Sequence, residues 1–127
     1  MSTTRILVAG LLASATALAP AAAFAKDGDI IQRSSCSKNS SAKLKLSEEN
    51  GRIETEFEVD QNRSGVTWKV TLRRNGATVA KTSATTRGRS GSFSVRRVLA
   101  NGAGADTVVA KAKSPTGEVC TVRATFS

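Results

Sequence analysis

The chain reads as an all-β domain, a seven-stranded antiparallel sandwich with one disulfide. Three observations predict it. From residue 42 onward, apolar and polar residues alternate with period two in short runs rich in Val, Thr, Ile and Phe. Clusters of Gly, Asn, Pro and Asp punctuate these runs at the spacing of a sandwich's strands. Only two cysteines are present, Cys36 and Cys120, and an even count in an exported chain is expected to pair.

Export is itself read from the first 25 residues. A single Arg5 precedes an apolar run from Ile6 to Leu18, and small residues end in Ala23-Phe24-Ala25. This is the layout of a secretory signal, with cleavage expected before Lys26. Pro20 and the alanine-rich exit leave the apolar core short of the ~20 residues a spanning helix needs, so no stable membrane insertion is expected after its removal. Removal leaves 127 − 25 = 102 residues, one domain by size. Without Arg5, 19 − 1 = 18 basic residues stand against 10 acidic ones, a formal charge of +8. Closing the loop between Cys36 and Cys120 is expected to stabilise by about 4 to 5 kcal/mol in the chain-entropy model. The expected localisation is extracellular.

Residues 26–41, rich in Ser and Lys, lack an apolar period and are read as an extended N-terminal arm pinned by Cys36. The sandwich domain follows over 42–127, with strands expected near 42–47, 53–59, 66–73, 77–84, 92–99, 107–113 and 119–126.

Turn chemistry sets the registers. Asn50-Gly51 suits a two-residue type I′ loop, where both positions need positive φ. Leu46 then meets Thr55 and Leu44 meets Phe57 on one face, while Lys45 meets Glu56 and Lys43 meets Glu58 on the other. Glu54, Glu56 and Glu58 thus line the solvent side of a half-buried strand and are not read as catalytic carboxylates. The same rule at Asn75-Gly76 pairs Leu72 with Val79 and Trp68 with Ser83. It puts Lys81 opposite Val70 on the core face, a position suited to an edge strand. In the last hairpin a three-residue loop, Pro115-Thr116-Gly117, pairs Ala112 with Cys120, Ala110 with Val122 and Val108 with Ala124. Trp68, the only tryptophan, belongs to the apolar stripe Val66, Trp68, Val70, Leu72 and is expected in the core.

Seven such strands with a tryptophan on the third resemble an immunoglobulin or fibronectin type III sandwich. The segments "LKLSEENGRIETEFEVDQNRSGVTWKVTLRRNG" and "GADTVVAKAKSPTGEVC" are similar to a family of small secreted actinobacterial proteins to which no activity is assigned, so the resemblance supplies no site residues. Unlike antibody domains, the chain has no tyrosine and its bridge would join the arm to the last strand. A fibronectin-like arrangement implies that the first, second and fifth strands form one sheet, with Lys43, Lys45 and Arg96 outside among the three glutamates. The third, fourth, sixth and seventh strands form the other. Its outer face carries Lys69, Arg73, Lys111, Lys113 and Arg123 among Thr67, Thr71, Thr121 and Thr125, with no acidic residue.

That face is the candidate binding site, and its expected partner is an anionic cell-wall polymer or another polyanion, held largely by electrostatics. A second candidate is the connector "TTRGRSGS", 85–92, read as a flexible loop in which Arg87 and Arg89 could engage a secreted or surface protein or a protease. No catalytic residue is expected: histidine and tyrosine are absent, the cysteines are expected to pair, and no spacing singles out a Ser-Lys dyad. No metal or cofactor is expected either. Glu58, Asp60 and Asn62 offer oxygens, but the glycine and distal glutamate of a calcium loop are missing. The sequons at Asn39 and Asn62 are read as chance.

Overall fold

The structure, a computed structural model, describes residues 28–127; the segment read as a secretory signal and its expected cleavage point lie outside them. Eight strands follow in order: β1 (Ile30–Ser35), β2 (Ser41–Glu49), β3 (Arg52–Asp60), β4 (Thr67–Arg74), β5 (Ala77–Thr85), β6 (Ser92–Leu99), β7 (Asp106–Lys113) and β8 (Val119–Phe126). They form two antiparallel four-stranded sheets, β1-β2-β3-β6 and β5-β4-β7-β8. Among the described residues no helix is long and apolar enough to cross a membrane.

The strand count corrects the seven expected. The additional strand is β1, which lies within the segment read as an arm and pairs with β2 from Ile30 opposite Leu46 to Ser35 opposite Ser41. Its sequence IIQRSS leaves all but Ile30 and Ser34 exposed. A strand at the rim of a sheet is held by main-chain hydrogen bonds and needs little apolar patterning, so the period-two signal is absent there.

The β2–β3 hairpin has the register its turn predicts, with Leu44 opposite Phe57 and Lys45 opposite Glu56. Asn50 and Gly51 have φ of 51° and 79°, as a type I′ loop demands. On the solvent side Lys43 reaches Glu58 at 3.4 Å and Lys45 reaches Glu56 at 3.8 Å. Because such exposed pairs contribute little, Glu56→Gln is expected to lower stability by less than about 1 kcal/mol in a urea titration. A far larger loss would mean that Glu56 does more than neutralise its neighbours.

The β4–β5 hairpin departs from its expected register. Next to the Asn75-Gly76 turn, Arg74 meets Ala77 and Arg73 meets Thr78 as the turn dictates, but a bulge between Leu72 and Arg73 shifts everything beyond by one residue. Leu72 faces Ala80 instead of Val79, and Trp68 faces Ala84 instead of Ser83. A one-residue shift exchanges the two faces of a strand. Lys81 therefore leaves the core face and pairs with Thr71 on the outside, while Ala80 and Ala84 turn towards the core. The β7–β8 hairpin is as expected, with Ala112 opposite Cys120 and Val108 opposite Ala124.

Between the sheets Trp68, Phe57, Leu44, Leu46, Ile53 and Leu72 are wholly buried. Phe93 sits edge-on to Phe57 at 6.3 Å between ring centroids and tilted against Trp68 at 6.1 Å. The indole N–H of Trp68 donates to Gln61 Oε1 at 3.1 Å, so its polar end is satisfied. Cys36 and Cys120 are bridged, tying the turn between β1 and β2 to β8 of the other sheet. Beside the bridge, the buried Glu118 carboxylate accepts from the backbone N–H of Lys38 at 3.1 Å and of Ser40 at 2.8 Å, and from Ser40 Oγ at 2.9 Å. A second buried carboxylate, Asp106, pairs with Arg74 at 2.8 Å and accepts from Asn75 Nδ2 and Gly102 N–H. Both are fully engaged in holding turns together, and with their hydrogen bonds made they stabilise those turns.

Candidate functional site

Alternation in β4, β5, β7 and β8 sends every second side chain to the outer face of their sheet, and neighbouring strands align these positions into rungs. One rung reads Ser83, Lys69, Lys113, Val119 across the four strands. The next reads Lys81, Thr71, Lys111, Thr121, and the third Thr78, Arg73, Val109, Arg123. Each rung carries two cations, so the five expected residues do share one face, with Lys81 as a sixth. Sequence reasoning placed Lys81 in the core; the signal that could have corrected it was the misfit itself, a lysine opposite Val70 on an apolar stripe.

All six cations are exposed, and among the described residues none is in an ion pair. Arg73 is steadied by a hydrogen bond from Nε to Thr78 Oγ1 at 3.5 Å. No outward position of these four strands is acidic. The acidic residues at the ends of the sheet's hairpins, Asp106 and Glu118, are buried.

The opposite sheet has the contrary electrostatics. Besides the two lysine–glutamate pairs, Arg96 bonds Glu54 and lies 3.2 Å from Glu49. These carboxylates raise the pKa of the Arg96 guanidinium, chiefly through the Glu54 hydrogen bond and charge. A depression of about 420 Å³ on this side mixes Arg33 and Lys43 with Glu58 and Asp60. On the basic sheet, a depression of about 300 Å³ has Thr71 and Val109 among its walls and Lys69, Arg73, Lys81, Lys111 and Lys113 around it.

The second candidate, the 85–92 connector, is tethered, which corrects its reading as a flexible loop. Thr86 is buried; its hydroxyl donates to Arg63 O at 2.6 Å and accepts from Val66 N–H at 3.0 Å. Arg87 and Ser92 exchange backbone bonds of 2.8 and 3.1 Å, and Gly91 O accepts from Gln61 N–H at 3.0 Å. Arg87 and Arg89 are exposed on this braced turn and belong to none of the three rungs.

At the C-terminal end of β3, beside this connector, Asp60 Oδ1 accepts from Asn62 N–H at 3.2 Å, and Asn62 takes a φ of 59°. This is a local turn in which the carboxylate already has a backbone partner. Among the described residues no cluster of His, Cys, Asp and Glu has a metal-binding arrangement. No family model matches the chain, and no curated protein matches it.

Proposed function

We propose that the protein is a secreted, non-enzymatic binding module that holds an anionic polymer of the cell surface on the outer face of β5-β4-β7-β8. The observation that carries this reading is the segregation of charge: six cations without acidic partners on one sheet face, and neutralised pairs on the other. Threonine hydroxyls between the cations suit anionic oxygens, which take hydrogen bonds from both. The signal-like first 25 residues and the disulfide support export. The division of strands between the sheets supports the immunoglobulin or fibronectin type III-like reading, with β1 as an addition at the rim. The lack of histidine and the bonded state of both cysteines support a binding role over a catalytic one.

The test is retention on an anionic matrix. Lys111→Glu with Arg123→Glu is expected to abolish it, while the unaltered protein elutes with a log-log salt slope approaching about −4 if all six cations engage. Comparing Lys111→Ala plus Arg123→Ala with Arg87→Ala plus Arg89→Ala separates the face from net charge. Equal losses would overturn a dedicated sheet site. The braced conformation of the 86–91 turn favours a second reading, a protein-binding or protease-inhibiting loop, because a preorganised loop loses less entropy on binding. That reading takes over if the loop pair alone weakens capture of a protein partner.

A further inference from the structure

The depression over Thr71 and Val109 is one part of a longer trough. It shares Lys69 and Lys113 with a depression of about 270 Å³ that continues to Pro115, and shares Arg73 and Val109 with another of about 480 Å³ that continues to Asn75 and Gly76. The trough therefore runs along β4 and β7, from the turn after β7 to the turn after β4. At about 3.3 Å per residue, the length of β4 gives it a span of roughly 25 Å.

We propose that the ligand of this trough is a linear polyol phosphate, bound by the interior of its chain and lying parallel to β4 and β7. The proposal rests on the polyanion reading above and makes it specific. Both ends of the trough open at hairpin turns, so a polymer can enter at one and leave at the other. Successive rungs lie two residues apart, about 7 Å, which is the order of a three-carbon phosphodiester repeat, so each phosphate meets a fresh pair of cations. On the middle rung Lys81 and Lys111 flank Thr71, and beyond it Val109 offers an apolar wall: hydroxyl and methyl surface suited to a polyol backbone. Nucleic acid is disfavoured because Phe57, Trp68, Phe93 and Phe126 are all buried, which among the described residues leaves no aromatic ring on this face for a base to stack on.

The experiment is a titration of the protein at fixed salt with poly(glycerol phosphate) fractionated by length, beside oligo(dT) and oligogalacturonate of matched charge. Affinity for poly(glycerol phosphate) should climb with each repeat up to about three, one for each rung of cations at that spacing, and then level off. It should exceed that for the two matched polymers by about tenfold or more. Thr71→Glu, in the middle of the trough, and Lys81→Ala, on the rim strand, should each weaken it severalfold with Trp68 fluorescence unchanged. Levelling at a single repeat would replace the trough with a discrete anion site. Oligo(dT) binding as tightly would make the ligand a nucleic acid, and oligogalacturonate binding as tightly would mean that charge alone selects. Failure of all three polymers to bind even at low salt would instead remove the polyanion function on which the proposal rests.

Discussion

Replacing both cysteines, Cys36→Ser with Cys120→Ser, should lower stability by about 3 to 5 kcal/mol, a loss most directly seen as a fall in Tm. For a domain of this size 1 kcal/mol corresponds to roughly 4 to 8 °C, so the expected fall is on the order of 20 °C. The bridge spans a sequence separation of 84, and the constraint it puts on the unfolded chain grows with that length. It also joins the two sheets at the rim where β8 lies against β1 and β2. Without it, the Glu118 carboxylate's bonds to Lys38 and Ser40 and the two bonds between Ser37 and Val119 are left to hold the turn between β1 and β2 against β8. A fall of only a few degrees would mean that these polar contacts suffice.

A comparable loss is expected from a single methyl group at Gly91. This residue is buried at a φ of 60°, and a Cβ there would stand 2.0 Å from the backbone nitrogen of Arg63. Alanine costs about 1 to 2 kcal/mol in the left-handed region, and the collision with main chain adds about 1 to 3 kcal/mol because neither segment can yield locally. Gly91→Ala should thus destabilise by about 2 to 5 kcal/mol in chemical denaturation. Gly88→Ala makes the control: its φ is also positive, at 74°, but a Cβ there meets nothing within 4 Å, so only the conformational cost applies. Equal losses at the two glycines would show that the approach to Arg63 is not tight in solution.

Much of the fold is legible in the sequence wherever short-range chemistry determines it. Two Asn-Gly turns and the Pro115-Thr116-Gly117 loop specify their hairpins at the turn, because positive φ at particular positions leaves few alternatives. Two of the three registers then follow along the whole strand. The third does not, since a bulge is created by packing: placing Ala80 and Ala84 against the core, and Lys81 in water, outweighs the ladder spacing set by the turn. β1 escapes notice for a related reason, as its support comes from the rim of β2 and only Ile30 among its residues packs on the core.

The candidate site divides along the same line. Five of its cations follow from alternation alone, and the sixth needs the bulge. The bracing of the 86–91 turn was hidden because Thr86 finds its partners at Arg63 and Val66, some twenty residues upstream in the chain. The buried roles of Asp106 and Glu118 were hidden because an acidic residue beside a Gly-rich turn looks the same whether its side chain faces water or a row of backbone N–H groups.

The position of the disulfide also decides how the molecule bears load. Tension applied between a point before Cys36 and a point after Cys120 passes from one sulfur to the other and skips the 84-residue separation between them. Strands β2 to β7 lie wholly inside that covalent shortcut. Pulling can peel β1 from β2 and the end of β8 from β7, but it cannot extend the rest until the bridge is reduced. A force–extension trace of the oxidised protein should therefore show only a short release, and a reducing agent should add a long one.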